Sequence, residues 1–162
     1  MIVDTTWLQQ RKFVSTCPSG FKLEMDATEK YGGRGEGLTP MELLLAGVAG
    51  CIGIDVTMIL NRHLDQIKKL HICTEGVRCE ALPTKFTEIK VTFDVEGEIE
   101  AHRVWRAIRL GHQKYCAVSA SLNAEMQHFL ILNGEILPEP PEEHSSRVRQ
   151  PDLSRRFLDG KS

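Results

Sequence analysis

The chain has 162 residues, of which 41% are hydrophobic and 26% are charged, and its formal net charge at pH 7 is −2. This composition excludes collagen-like, coiled-coil and wholly disordered proteins, and without a basic excess we expect no binding to nucleic acid. Residues 1–7 lack the basic and apolar segments of a secretory signal. The longest apolar run, 43–54, is too short to span a bilayer. We therefore expect a soluble cytoplasmic protein without a membrane partner.

Two segments near the N-terminus alternate apolar and polar residues, which is typical of β-strands. They cover residues 11–16 and 21–26, and the Pro18-Ser19-Gly20 turn between them predicts a hairpin. Residues 27–38 follow with four glycines, a composition that predicts an exposed loop.

Three signals then place the start of a long helix at Pro40. Thr39 is a suitable N-cap residue, proline fits the first helical position, and Glu42 completes a capping box. From residue 43 to about residue 62 this helix is apolar around most of its circumference. Such a helix must be buried on several sides, so we expect a sheet to wrap around it or a partner subunit to cover it.

The second half of the chain alternates strands and helices. The pattern predicts strands over 67–80 and 86–95, a helix over 99–114, a short helix over 117–125 and a strand over 126–132. This order predicts an α+β fold with antiparallel sheets. We expect residues 1–137 to form one domain. Residues 138–162, with four prolines and few large apolar residues, form a C-terminal tail.

The five cysteines do not suggest a disulfide framework, because their number is odd and no secretion signal precedes them. The chain has no Cys-x-x-Cys or Cys-x-x-His pair, so we expect no metal and no cofactor. Cys17, Cys73 and Cys79 are interpreted as structural thiols. Cys51 lies within the long helix, where a thiol is usually an inert core residue. Cys116 lies at the start of a helix, where the helix dipole favours the thiolate.

Two segments resemble the cysteine motifs of the OsmC/Ohr family. The first is residues 38–60, LTPMELLLAGVAGCIGIDVTMIL, around Cys51, and the second is residues 114–122, KYCAVSASL, around Cys116. They stand in the family's order and separation, and the resemblance extends from residue 3 to about residue 132. It implies an OsmC-like fold in which antiparallel sheets wrap around two central helices of an intertwined homodimer.

The resemblance also implies a thiol-dependent peroxidase that reduces organic hydroperoxides in oxidative stress defence. Cys51 would be the peroxidatic cysteine that becomes a sulfenic acid, and Cys116 the resolving cysteine that condenses with it to a disulfide. An external thiol or dithiol reductant would regenerate the enzyme. In peroxidase members a glutamate and an arginine support the thiol. Glu42 occupies the motif position of that glutamate, and Arg34 is the only arginine in the loop before the helix.

Each supporting residue also has a simpler interpretation. The capping box by itself explains Glu42, which lies about 13 Å along the helix from Cys51 and would serve a partner subunit's site. Arg34 is a solvated loop charge in the alternative interpretation, and the chain resembles a branch of the family without a clear reactive arginine. Asp55 lies four residues after Cys51, on nearly the same helix face, and would raise the pKa of the thiol unless a cation pairs with it.

Two further hypotheses stay open. A non-catalytic dimeric protein that binds an apolar or thiol-bearing small molecule in an interfacial cleft would have the same fold. A cation near Cys51 separates the two functions, because the peroxidase needs one and the binding protein does not. In the second hypothesis the tail, with Leu153, Phe157 and Leu158 on a polar background, covers the cleft or docks on the partner subunit.

If the tail has this role, deleting residues 138–162 changes the rate of thiol oxidation by a hydroperoxide or the stability of the dimer, because apolar contacts are lost. Thiol counting and analytical ultracentrifugation of the truncated and full-length chains measure both quantities. A truncated chain that matches the full-length chain in both would contradict the role.

Overall fold

A computed structural model describes residues 1–141 of the chain. The first sheet consists of β1 (Asp4–Gln9), β2 (Lys12–Thr16) and β3 (Lys22–Met25). All three strands pair antiparallel in chain order, with Thr16 of β2 opposite Lys22 of β3. The predicted hairpin is therefore confirmed. The predicted tail beyond residue 141, with its docking role, lies outside the described residues.

The glycine-rich loop after β3 is held by one buried carboxylate. Asp26 is 3% exposed, and its Oδ2 accepts hydrogen bonds from the backbone N–H groups of Arg34 at 2.9 Å and Glu36 at 3.2 Å. Its Oδ1 accepts from the Ala27 N–H at 2.8 Å. These donors, the Arg34 N–H foremost, hold the pKa of Asp26 below its usual range. A Cβ atom at Gly33 would lie 1.9 Å from the Ala27 carbonyl oxygen, so this loop accepts only glycine there.

The second sheet contains β4 (Ile67–Arg78), β5 (Phe86–Gly97), β6 (Glu125–Leu132) and β7 (Glu135–Leu137), in that order. The predicted strand over 86–95 is confirmed, and every second residue from Ile89 to Val95, namely Ile89, Val91, Phe93 and Val95, is buried. The antiparallel expectation holds for two of the three pairs and fails for β5 and β6, which pair in parallel with Ile89 opposite Met126. A parallel pair needs a crossover, which the intervening helices provide.

The α-helices of this crossover are shorter than the sequence predicts. Helix α2 (Ala101–Leu110) ends at a π-helical turn, Gly111–Tyr115, and α3 (Ala117–Ala120) follows after Cys116. Val104 and Ile108 of α2 are buried in the core. Strand β7 was not predicted, because three residues are too few to show an alternation.

Helix α1 (Pro40–Ile59) begins at the predicted capping box. The Thr39 hydroxyl accepts from the Glu42 N–H at 3.3 Å, and the Glu42 carboxylate accepts from the Thr39 N–H at 2.7 Å. The helix ends at residue 59 rather than near residue 62, because a 3₁₀ helix over Asn61–Gln66 redirects the chain into β4.

Only one stripe of α1 is buried by the described chain. Val48, Ile52 and Val56 lie in the core, whereas Ile54 and Met58 are 63% and 69% exposed. By length and composition alone α1 is apolar enough to cross a membrane, with a mean hydropathy of 1.8 over its most apolar stretch. Because it contacts β4 and α2, α1 is the central helix of the fold. Its exposed apolar side is typical of an interaction surface.

We expect Asp26→Asn to loosen the loop over residues 27–38, because an amide keeps only one acceptor atom for three N–H donors. In the unfolded chain the Asp26 carboxylate takes up a proton at a higher pH than in the folded chain. The stabilisation that its hydrogen bonds provide is therefore present above the unfolded pKa and is lost as pH falls through the folded pKa. At pH 7 the variant should show a thermal midpoint several degrees lower and faster proteolysis within the loop. Asp65→Asn, at an exposed position, is the control, and equal proteolysis of both variants would contradict the expectation.

Candidate active site

The two motif cysteines lie on different elements that pack together. Cys51 is in the middle of α1 and half-buried, and Cys116 is 2% exposed and forms the N-cap of α3. The π-helical turn before Cys116 lies against α1, where a Cβ atom at Gly111 would be 3.4 Å from the Asp55 Cβ and 3.6 Å from Ile52. This close approach carries Cys116 to Cys51.

The sulfur atoms of Cys51 and Cys116 and a carboxylate oxygen of Asp55 all lie within 4.8 Å of one another. The Cys116 thiol is close enough to raise the pKa of Cys51. The sequence singled out both cysteines and placed Asp55 on the Cys51 face of the helix, and the structure brings all three together.

A backbone donor of α3 reaches the Cys116 sulfur. The Ser119 N–H donates to this sulfur at 3.3 Å, and the Ser119 hydroxyl donates to the Cys116 carbonyl oxygen at 3.0 Å. The Val118 N–H lowers the pKa of Cys51. Sequence reasoning missed Val118 and Ser119, because a backbone donor leaves no signal in residue type.

The surroundings of Cys51 favour the thiol over the thiolate. Burial raises its pKa most, followed by the neighbouring Cys116 thiol, and the negative charge of Asp55 acts in the same direction. The Val118 N–H opposes these effects. Within residues 1–141, none of the groups that shift the Cys51 pKa is a cation. The expected effect of an unpaired Asp55 is therefore confirmed.

Glu42 and Arg34 stand apart from the sulfur atoms in the described chain. The Glu42 Oε2 accepts from both the N–H and the hydroxyl of Thr39, and the Thr39 N–H lowers the pKa of Glu42. The Arg34 side chain is 55% exposed and lies 3.9 Å from Glu36. Neither side chain is among the groups that shift the Cys51 pKa within residues 1–141.

Two of the cavities that adjoin α1 differ in their lining and in their distance from the thiol pair. One, of about 320 Å³, is lined by Asp55, Met58, Ile59 and Tyr115 and so lies beside the thiol pair. The other, of about 470 Å³, is mostly apolar and lies at the start of α1, where Met41 and Leu44 contribute to its lining without either motif cysteine.

A pair of half-buried histidines supports the turn that leads to Cys116. The rings of His112, in the π-helical turn, and His128, on β6, have centroids 4.6 Å apart. Burial lowers the pKa of His112, and burial together with His112 lowers the pKa of His128 to about 4. Both rings are therefore neutral at pH 7. No local pattern in the sequence indicates this pair, because it joins a helical turn to a distant strand.

Fold and site together define an α+β protein with a thiol pair held between its central helix α1 and the short helix α3. A family model described as OsmC-like protein matches residues 33–128. Protein YhfA of Escherichia coli K12 is 31% identical over 118 residues, which cover 72% of this chain and 84% of YhfA. The chain belongs to the OsmC-like family.

Solved structures agree with this assignment. A hypothetical protein from Aquifex aeolicus is 27% identical, with a TM-score of 0.67 over 81% of this chain and 96% of that one. An organic hydroperoxide resistance protein OsmC from Legionella pneumophila is 16% identical, with a TM-score of 0.59 over 80% of this chain and 96% of its own. The second likeness concerns the fold alone. The OsmC-like fold implied by the sequence is thus confirmed.

The histidine pair predicts a loss of stability in mild acid. Because the folded pKa of His128 lies below its unfolded value of about 6.5, the unfolded chain binds the proton first, and stability falls as pH drops from about 7 towards 4. At about 1.4 kcal/mol per pKa unit, His128 accounts for a loss on the order of 3 kcal/mol. Urea denaturation at a series of pH values should show a smaller loss for His128→Phe.

The exposed His71 supplies the matched control. His71→Gln should keep the pH dependence of the unmodified protein. Identical pH dependence in His128→Phe would show that the pair does not control acid stability.

Proposed function

We propose that the protein is a cytoplasmic thiol-dependent peroxidase that reduces organic hydroperoxides through Cys51 and Cys116. The observation that carries the proposal is the placement of these two sulfur atoms within 4.8 Å of each other, on separate elements. Membership of the OsmC-like family supports it, and the structurally similar Legionella pneumophila protein is named for organic hydroperoxide resistance.

In the proposed reaction the Cys51 thiolate attacks the distal peroxide oxygen, and the O–O bond breaks. The alcohol leaves after taking up a proton, and Cys51 becomes a sulfenic acid. Cys116 then attacks the Cys51 sulfur, which releases water and forms the disulfide. The two electrons that reduce the peroxide thus come from the thiol pair. An external thiol or dithiol restores both thiols by exchange.

The exposed side of α1 supports a homodimer as the active form. Ile54 and Met58 project from a helix whose opposite side is already in the core, and a second copy of this apolar surface would cover them. Members of the family are typically dimeric. We infer that this chain forms the same intertwined homodimer, with the cavity beside Asp55 at or near its interface.

The dimer would also meet the electrostatic need of the reaction. Cys51 requires a positive charge to ionise, and none of the groups that shift its pKa within residues 1–141 is a cation. We assign that role to Arg34, whose exposed side chain would reach the thiol of a partner subunit. Glu42 would assist there as well, because its two bonds to Thr39 both use Oε2.

A second candidate function is the binding of a small apolar molecule without catalysis. The larger cavity favours it, because this cleft of about 470 Å³ has a mostly apolar lining and neither motif cysteine borders it. The raised pKa of Cys51 favours it too, since a protonated thiol is a poor nucleophile.

Thiol counting after exposure to cumene hydroperoxide tests the peroxidase. The reduced protein should lose two thiols per chain rapidly, because one peroxide oxidises the pair to a disulfide. Cys51→Ser should abolish the loss. Cys116→Ser should leave a sulfenic acid at Cys51 that the trapping reagent dimedone labels.

Cys73→Ser is the matched control, because Cys73 is an exposed thiol on β4. It should leave the rapid phase unchanged. Loss no faster than that of Cys17, Cys73 and Cys79 would refute the peroxidase and favour the binding function.

A further inference from the structure

The thiol pair adjoins the carboxylate of Asp55, which has no hydrogen-bond partner for its Oδ2 within residues 1–141. This oxygen is buried. A buried carboxylate oxygen without a donor or a cation is costly, and it often marks the place of an ion or a water molecule. Here the oxygen lies beside two sulfur atoms, which are themselves metal ligands once deprotonated.

We propose that Cys51, Asp55 and Cys116 form a binding site for a zinc ion. Their ligand atoms lie within 4.8 Å of one another. Around a tetrahedral zinc ion, with Zn–S distances of about 2.3 Å, ligand atoms are about 3.5 to 3.8 Å apart. Adjustments on the order of 1 Å, within reach of side-chain rotation, therefore bring all three into coordination.

The two elements that carry the ligands suit this role. Cys51 and Asp55 are one turn apart on α1, so they face the same direction. A pair of ligands at i and i+4 on one helix face is also used by helical zinc sites. Cys116 is held at the N-cap of α3 by the Ser119 N–H. Two rigid elements thus supply three ligands.

The donor set selects the metal. Thiolates prefer zinc and other soft or borderline ions, whereas magnesium and calcium prefer oxygen ligands. Three protein ligands leave the fourth tetrahedral position to water or another small ligand. The cavity lined by Asp55 and Tyr115 gives such a ligand a route to the site.

Zinc and disulfide formation exclude each other at this site, because both use the same two sulfur atoms. The ion would supply positive charge beside Asp55 and hold both thiols in the reduced state. Zinc binding does not depend on peroxide turnover, so it can be tested independently of the proposed peroxidase activity.

Cobalt(II) is the spectroscopic probe for the reduced, metal-free full-length chain under anaerobic conditions. One equivalent per chain should produce thiolate-to-cobalt charge-transfer absorption in the near ultraviolet and visible bands of a four-coordinate ion. Added zinc should displace the cobalt. Competition with a chromogenic chelator then gives the affinity for zinc.

One substitution at each proposed ligand measures how much that ligand contributes to zinc binding. Changing an outer-shell partner of a metal site weakens binding roughly 10- to 100-fold, and we expect at least that loss for Cys51→Ser, Cys116→Ser and Asp55→Asn. The two serine variants should also lose charge-transfer intensity. Cys73→Ser and Asp65→Asn, at exposed positions, should bind as the unmodified chain does.

Absence of charge-transfer absorption, or its full retention in Cys116→Ser, would overturn the site. Unchanged zinc affinity in Asp55→Asn would overturn the three-ligand assignment. Circular dichroism checks the fold of each variant. If Cys51→Ser does not fold, Cys116→Ser and Asp55→Asn decide, because Cys116 caps only the four-residue α3 and asparagine keeps the size of Asp55.

Discussion

The contact between the π-helical turn and the middle of α1 determines what this protein can do. Gly111 lies so close to Ile52 and Asp55 that even a Cβ atom would touch both side chains. The chain then reaches Cys116 within five residues and starts α3 there, where the Ser119 N–H donates to the Cys116 sulfur and the Val118 N–H lowers the pKa of Cys51. Without this packing, Cys51 would be an ordinary half-buried thiol on a helix. With it, the helix face carries a thiol pair and a carboxylate.

Charge decides which chemistry the thiol pair performs. Burial, Cys116 and Asp55 all favour the protonated form of Cys51, so a positive charge must arrive before the sulfur can act as a nucleophile or a ligand. An arginine from a second subunit would produce a reactive thiolate. A zinc ion would produce two bound thiolates and remove them from redox chemistry. The same cluster is thus compatible with both proposals, and the source of the cation distinguishes them.

The incomplete burial of α1 links the site to assembly. α1 is apolar on all sides, yet residues 1–141 bury only the stripe through Val48, Ile52 and Val56. Its other side, with Met58, continues into the cavity beside Asp55. A subunit that covers this surface would necessarily approach the thiol pair. Hydrophobic burial and completion of the site are therefore one event in the proposed dimer.

Local patterns in the sequence determined the hairpin, the capping box at Thr39 and the alternation along β5, because each depends on residues only a few positions apart. The two cysteine motifs identified the family, and the helical repeat placed Asp55 on the face of Cys51. Tertiary structure alone decided the parallel β5–β6 pair and the grouping of Cys116 with that face, since both depend on how distant elements pack. For the same reason the spacing of residues along the chain gives no sign of the proposed metal site, because packing alone brings Cys116 within reach of Cys51 and Asp55.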